Sequence, residues 1–522
     1  MFFCTIIPAT VGVTPDNLAR ELEQFLAEAR DALVLEDGEP IFEMASARFS
    51  INSDHGKCLL QLWSPERNLV RRVLDLELKK DGLQLSAQKF GQTKPIKIEI
   101  VRDRDQRTPT AKRAARSGYQ RMLKRVQEKQ FPELSCGPLS TAMDLNRSFS
   151  PVYTRGLMNK GRSAFAVLGV NAQESQASVD AALTFAILWL DHCREREAPR
   201  AHVEGLKLFV PPAMSAVVRE RMSNLNHAAA KFELYELNER EQSVEQLDCS
   251  DRGNIKTRLV RCVDESAARE RFAGAIAKVL ALASEAEVIV LSATEIAFRL
   301  HGLEFARARI AAEKSSFRNA EEITFGVGPY EAVFGEENEE AFAGFVHRVV
   351  ASRRADGKRD DALFRMHPER WLESLVVKDV VALDSELDTT QIYSQVPAFS
   401  ASDRAMIDVL AATRSGRLAV VELKADEDIH LPLQGLDYWA RVRWHHARGE
   451  FRQYGYFPGR ELAAEDPLLY LVAPALRVHP ATDALLRYFS PEIEWALLGI
   501  DERWRDGVRV VFRKRRERAA AG

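Results

Sequence analysis

The six cysteines of this 522-residue chain (Cys4, Cys58, Cys136, Cys193, Cys249 and Cys262) include no C-x-x-C pair. That scatter argues against a zinc knuckle or a disulfide framework and fits a reducing, cytoplasmic setting. Long apolar runs are missing too. FAILWL, 185 to 190, is among the longest and falls far short of a bilayer's thickness, so no membrane partner is expected. MFFCTIIPAT at the N-terminus is apolar but has no basic n-region, and reads as a strand rather than a signal peptide. No G-x-x-x-x-G-K-[ST] loop is present, so the chain has no ATP site of its own, and Gly326-Val327-Gly328 lacks the third glycine of a nucleotide-binding turn. Without a G-x-S-x-G elbow, serine hydrolase chemistry has no support.

A strong excess of one charge is also absent: 73 Lys and Arg stand against 76 Asp and Glu, for a net −3. The charge is unevenly spread, however. Residues 102 to 129 hold ten Lys/Arg and three acids, a local balance of +7, and the chain ends with FRKRRER at 512 to 518. Local basic blocks on a near-neutral protein suit an anionic partner touched at defined places, or else solvated helix and tail surfaces.

The apolar share of 46% and charged share of 29% are those of a globular protein, and the length implies two to four domains. CLLQLW, LVRRVLDLEL and KPIKIEIV alternate as strands, so residues 1–105 read as a β-rich domain able to bind nucleic acid. Thr108-Pro109 starts a basic linker helix over 106–134. It carries Lys112, Arg113, Arg116, Arg121, Lys124 and Arg125, candidate contacts to a nucleic-acid backbone. In 135–312 short strands such as AFAVLGV, LKLFVP and EVIVLS alternate with helical stretches, an α/β pattern. A last α/β region, 313–522, includes a helix, a polar hinge and a unit beginning near His367. At a constant offset of 253, residues 165–190 lie over 418–443 without a gap, and 206–214 lie over 468–476 at an offset of 262. This overlay puts Gly169 on Glu422, Asn171 on Lys424 and Arg155 on Asp408. The middle domain is then a degenerate copy that has lost its charges; the alternative is two generic α/β units.

The chemistry concentrates in IDVLAATRSGRLAVVELK, 407 to 424. TRSG is a turn between two apolar strands, so a hairpin centred on Ser415 sets Asp408 across from Glu422. Cross-strand Cβ atoms lie about 5 Å apart, and strand alternation turns Lys424 to the same face as Glu422. Two repelling carboxylates and an amine at one point call for a hard divalent cation. A lysine beside it can orient a water that attacks a phosphodiester.

D-x13-E-x-K resembles the core of the PD-(D/E)XK nuclease superfamily, with Asp408, Glu422 and Lys424 in place. HPERWLE resembles that superfamily's first helix, with Glu373 at the matching position, and QGLDY matches the Q-x-x-x-Y motif of its RecB-like branch through Gln434 and Tyr438. The resemblance covers about 365–500 and implies a restriction-endonuclease-like C-terminal domain, a mixed central sheet flanked by helices. It implies that Asp408, Glu422, the Leu423 carbonyl and Glu373 bind Mg²⁺ (or Mn²⁺), that Lys424 positions the water, and that Gln434 and Tyr438 hold the site. The helix continues with Arg441, Arg443, His445 and Arg448, where phosphates could lie, while its tryptophans read as core. His445 and His446, neighbours on a helix, diverge by about 100° and read as surface. The cysteine cluster of some RecB-like nucleases is absent. The expectation is a metal-dependent endonuclease acting on DNA in repair or defence, with a homodimer admitted. A nucleic-acid-binding or scaffold protein that keeps the fold without cutting is the second reading. A phosphate-binding regulatory enzyme is the third, with only the charge cluster behind it.

Overall fold

The structure, a computed structural model, describes residues 14–29, 32–36, 39–44, 48–53, 57–64, 67–79, 82–89, 95–101, 109–197, 201–251, 255–312, 319–327, 330–400 and 406–516. The strand expected at residues 1–10 lies outside them, as do Arg102, Arg104 and Arg107. Two compact units divide the chain: residues 1–115 with 327–331, and 116–326 with 332–522.

In the first unit, α1 (Pro15–Glu28) is capped by Thr14, whose side chain accepts from the Asn17 amide, with proline at its first turn. The β-rich reading of this region carried no such helix. Strands β1 to β7 (Leu33–Glu36, Glu39–Glu43, Arg48–Asn52, Cys58–Ser64, Arg67–Lys79, Gly82–Lys89, Pro95–Val101) pair antiparallel in the order β2-β1-β7-β6-β5-β4-β3. β7 shows why: Ile96, Ile98 and Ile100 are buried while Lys97 and Glu99 alternate outward, and the apolar face meets Leu22 and Leu26 of α1.

The second unit begins within α2 (Pro109–Gln130). Its strands β8 (Ser135–Cys136), β9 (Tyr153–Lys160), β10 (Ser163–Val170), β11 (His202–Val210), β12 (Lys231–Asn238) and β13 (Ser243–Leu247) form one sheet, order β13-β12-β11-β10-β9-β8. Helices α3 (Gln176–Glu197) and α4 (Ala216–Ser223) connect its parallel strands. The expected linker helix is a packed layer instead. Tyr119, Leu123 and Val126 of α2 lie on Val167 and Phe209, the sheet face opposite α3.

Next come β14 (Thr257–Leu259), α5 (Glu265–Arg271), α6 (Ala273–Leu282) and the antiparallel meander β15 (Glu287–Ser292), β16 (Glu295–Leu300), β17 (Leu303–Ala312) and β18 (Asn319–Val327). The expected strand–helix alternation therefore stops before residue 287. A short strand β19 (Tyr330–Val333), α7 (Glu339–Ser352), α8 (Ala362–Arg365) and α9 (Pro368–Lys378) lead into the second α/β body. Its elements are β20 (Tyr393–Ser400), β21 (Met406–Ala412), β22 (Leu418–Leu423), α10 (Leu431–Ala447), α11 (Glu450–Gln453), β23 (Leu468–Pro474), α12 (Thr482–Arg487), β24 (Trp495–Ile500) and β25 (Val510–Arg516). The sheet order is β14-β20-β21-β22-β23-β24-β25, so β14, from the middle of the chain, is its edge.

From β8 to β13 and from β20 to β25 the two sheets share strand order and the same sequence of antiparallel and parallel pairings. Their helices face each other across one continuous core that takes Leu183 and Ile187 from α3 and Leu436 and Trp439 from α10. Asn226 N donates to Tyr488 O (2.8 Å) and Ser490 N to Asn224 O (2.9 Å), reciprocal bonds between corresponding segments, so the bodies are related by an approximate two-fold axis. Each short helix sends an arginine to the other body's long helix: Arg221 donates to both Asp437 oxygens (2.9 and 2.8 Å), and Arg487 to Asp191 (3.0 Å).

The gapless overlay is one residue out of register. It sets Val167 on Val420, yet Val167 packs under α2 and Val420 under α10. A slip of one reverses every side chain of a strand. The helix-side residues of β10 are Ala164, Ala166, Leu168 and Val170, so apolar groups rather than Gly169 and Asn171 occupy the face that Glu422 occupies in β22. Among the described residues no helix is long and apolar enough to cross a membrane.

Glu220, on α4 at the junction of the bodies, has a buried, unpartnered Oε1. Burial, then the Asp437 charge, push its carboxyl up to about 7, against Arg441, Arg221 and Arg219. A raised folded value means that the folded state holds an extra proton between about pH 4.5 and 7, so stability is lost as pH rises through that window. Glu220→Gln therefore stabilises the protein by about 1–3 kcal/mol at pH 8, and the gain vanishes near pH 4.5, as urea unfolding across that range will measure.

Candidate active site

β22 is buried along its whole length, clamped between antiparallel β21 and parallel β23, and the apolar run LAVVEL supplies that central strand. The turn behind it is set by Thr413, whose Oγ1 accepts from Arg417 N (3.0 Å), and by Gly416 at φ +89°. The register is centred on Ser415: Ala412 opposes Leu418, and Val409 opposes Val421. One step further, Asp408 stands across from Glu422 where the ladder ends. Asp408 Oδ2 accepts instead from the Leu423 amide (3.0 Å). An extended residue turns its N–H and C=O to the same side, so the Leu423 carbonyl faces that edge too.

Glu422 is 2% exposed, with Oε1 accepting from Lys424 Nζ (3.1 Å) and Oε2 buried without a partner. Burial foremost, then the Asp408 charge, hold its carboxyl well above the usual range, against Lys424. Burial alone would lower the Lys424 ammonium, but Glu422, Glu369 and Asp408 outweigh it and hold it above its ordinary value. The lysine therefore stays charged. The surplus negative charge must be relieved by a proton or by a cation.

α9 delivers two more carboxylates. Pro368 opens it, Trp371, Leu372 and Val376 are buried, and Glu369 and Glu373 share a face one turn apart. Burial, with Asp408 adding and Arg370 opposing, pushes Glu373 up to about 7; Glu369, 3.9 Å from Lys424, is also raised, by burial first. Beneath α9 the buried Arg353 guanidinium lies 4.2 Å from the Trp371 ring centroid and donates to the Leu363 and Met366 carbonyls (3.1 and 2.7 Å), tying down the turn that precedes the helix.

Two residues of this site were not singled out from the sequence. Gln395 sits in β20 at φ +52°, skipped by the ladder between Ser394–Val409 and Val396–Ile407. The register runs on without a shift, which sets Gln395 across from Asp408, and a non-glycine residue at positive φ is costly backbone kept for what its side chain reaches. Its Nε2 donates to Glu373 Oε2 (2.6 Å) and approaches Asp408 Oδ1 (3.4 Å), joining helix and hairpin. No motif announces it. Glu369 had a signal, its four-residue spacing from Glu373. From α10 come Gln434, whose Oε1 is buried and unpartnered, and the half-buried Tyr438, kept protonated by burial and by Glu422 and Asp408.

Donor chemistry fits a hard divalent cation: Asp408, Glu422, Glu373 and the Leu423 carbonyl are oxygen donors, and Glu422 Oε2 and Gln434 Oε1 are orphaned. Among the described residues, however, no three acidic, histidine or cysteine side chains are drawn together as a ready cage. Each carboxylate is engaged separately: Asp408 by the Leu423 amide, Glu422 by Lys424, Glu373 by Gln395 and Arg370.

The basic residues mostly go elsewhere. Arg441 is 4% exposed, in the junction rather than on the surface. Arg443 donates to Asp466 (2.9 Å) and lies over Trp439. Arg448 is exposed, its guanidinium 3.1 Å from the Trp444 ring centroid. Trp439 is fully buried, as its core reading required, whereas Trp444, also read as core, is only half-buried. His445, expected at the surface, is buried between Thr257 and Glu450. On α2, Arg116 is held by Glu174 (2.7 Å) while Arg113, Arg121, Lys124 and Arg125 are exposed; the Lys112 side chain is outside the described residues. Arg116, Arg121, Lys124 and Arg125 belong to the helix layer on the β8–β13 sheet, on the face opposite α3. The terminal basic run forms β25, where Arg513 and Arg515 pair with Asp384 and Lys514 with Asp483.

Gly435, within QGLDY, sets how closely α10 approaches. A Cβ there would come within 2.4 Å of Leu471 Cδ2 and 3.7 Å of Glu422 Cβ. Gly435→Ala therefore destabilises the protein by about 1–3 kcal/mol through overpacking, which urea unfolding followed by tryptophan fluorescence will report.

No family model matches the chain and no curated protein matches it, so the functional reading rests on the chemistry of these side chains.

Proposed function

We propose that this protein is a metal-dependent nuclease that hydrolyses phosphodiester bonds in DNA, with a restriction-endonuclease-like second α/β body of the PD-(D/E)XK, RecB-like kind. The observation that carries this reading is Glu422, a carboxylate buried at the end of a central strand with one oxygen unpartnered, and Lys424 on the other. A buried charge cluster destabilises a fold, and one kept beside three further carboxylates is best explained by a ligand that neutralises it.

Asp408, Glu422, Glu373 and the Leu423 carbonyl would hold Mg²⁺ or Mn²⁺. The bound ion supplies charge stabilisation at the scissile phosphate and acidifies a water. Lys424, protonated and 12% exposed, presents donors to a water or a phosphate oxygen at the rim. Gln395 keeps Glu373 aimed at Asp408. Tyr438, a neutral phenol, and Gln434 line the side of the site built by α10. Arg448 stacked on Trp444 offers a cation and a ring face to a strand. Repair or defence against foreign DNA is the setting we assign to such an activity, and a homodimer would pair two nicks.

Plasmid, linear duplex, single-stranded DNA and RNA, each with Mg²⁺, Mn²⁺ or EDTA, test the reading. Wild type should cut at least one substrate only with metal, and Lys424→Ala should lose about 10²–10⁴-fold in rate. Equal cutting by both proteins contradicts the assignment. Salt-sensitive binding without cutting would favour the nucleic-acid-binding, non-cleaving protein.

A further inference from the structure

The first α/β body carries an open cavity of about 630 Å³ on its surface that none of the chemistry above uses. We propose that this cavity is a nucleotide subsite, taking one base with its phosphate from a single strand on its way to the carboxylates. The inference rests on the nuclease reading for its direction, but its binding chemistry stands by itself.

Its walls are flat and aromatic. Trp189 is fixed by its Nε1 donating to Gly156 O (2.8 Å), and Phe149 meets it edge-on at 5.6 Å. His192 lies 5.4 Å from Trp189, tilted by 42°. Burial, then Arg147 and Arg196, depress the imidazole, so it presents a neutral ring. Such surfaces stack on any nucleobase.

The floor holds a cation without a counter-ion. Arg155 is 4% exposed, donates to the Ser150 carbonyl (2.9 Å) and the Ala142 carbonyl, and lies 4.7 Å from the Phe149 ring centroid. Among the described residues it makes no ion pair. Asp144 acts on it from further away and is already engaged by the Arg147 guanidinium (3.3 Å) and amide (3.2 Å). A buried guanidinium held by two carbonyls and by the Phe149 and Trp189 rings, the latter 5.8 Å away, still lacks the anion that an entering phosphate supplies. Arg196, half exposed and paired with Glu197 (2.8 Å), also lines the cavity. Met143 and Leu145 are 58% and 82% exposed, apolar area beside the cavity that water alone does not reward.

Position supplies the link to the carboxylates. The loop that carries Phe149 touches the second body through Ser148, 3.4 Å from His479, which lies 3.7 Å from Glu427. Glu427 is three residues beyond Lys424. On α3, one turn before Trp189, Phe185 packs edge-on to His430 at 5.7 Å, at the start of α10. A nucleotide seated on Trp189 is thus beside the segment that joins Lys424 to Gln434.

The test is anisotropy of fluorescein-labelled oligothymidylate of about twelve nucleotides, in EDTA and at fixed salt, with an abasic strand of the same length and dTMP as competitors. Arg196→Glu and Arg155→Gln should weaken strand binding about tenfold. The abasic strand should bind about tenfold more weakly than oligothymidylate. Arg196→Glu, at a half-exposed position, guards against misfolding of the buried variant, and melting curves check both. dTMP binding that Arg196→Glu abolishes would support the subsite with a free nucleotide as its source. Equal binding of the abasic strand, with both variants like wild type, would overturn it. If the variants lose strand binding while the metal panel gives no cutting, the subsite stands and the nuclease reading falls. Cutting with unaltered strand binding by both variants has the opposite meaning.

Discussion

A carboxylate buried at the end of a central strand, bonded to a lysine two residues on, is the constraint around which the second α/β body is arranged. Glu422 could not be placed there cheaply: burial and the neighbouring Asp408 both oppose its charge, and a single ammonium cannot neutralise four carboxylates. The surrounding elements hold that unfavourable arrangement still. The hairpin register brings Asp408 opposite, α9 brings Glu369 and Glu373, and Gln395, at positive φ, ties α9 to the hairpin. Gly435 lets α10 close over the strand end. Each of these features gives up some local stability and places an oxygen or an amine.

The first body shows the same architecture without that constraint. Its β10 carries Leu168 and Val170 on the helix side at the strand's end, and β9 carries Arg155 opposite Leu168. The two bodies meet through their helices about an approximate two-fold axis, with reciprocal arginine–carboxylate links, as subunits of a symmetric dimer would. Within one chain such an arrangement can keep the packing interface on both halves and the chemistry on one. The half without the carboxylate cluster instead has aromatic rings, Arg155 and Asp144 around an open cavity.

The sequence made the centre of the second body readable because its signals are short-range. D-x13-E-x-K fixes a hairpin register, Pro368 and the Trp371–Leu372 pair fix α9, and the Gln434–Tyr438 spacing fixes one helix face. What it hid depends on distant partners or on single backbone torsions. Gln395 enters the site because β20 sets it across from Asp408 at a positive φ, and no residue type advertises either. Arg441, Arg443 and the arginines of β25 look like a phosphate-binding series until their partners Asp466 and Asp384 and the body junction are known. The shared order of elements in the two bodies was visible, but its register was not, because apolar residues on both faces of a buried strand leave no alternation to align. α2 read as a linker for a similar reason: its charged face is obvious in sequence, whereas Tyr119, Leu123 and Val126 are three residues whose sheet lies elsewhere in the chain.

We propose that a divalent metal takes the place of the protons that otherwise neutralise the Glu422 cluster. Calorimetric titration of Mn²⁺ into the protein near pH 7, repeated in two buffers of different ionisation enthalpy, tests it most directly. Because Glu373 and Glu422 are held above the ordinary carboxylate range, binding should release protons, seen as a buffer-dependent heat, and Glu422→Gln should abolish both binding and release. Absence of binding, or binding unaltered in heat and affinity by Glu422→Gln, would contradict the account.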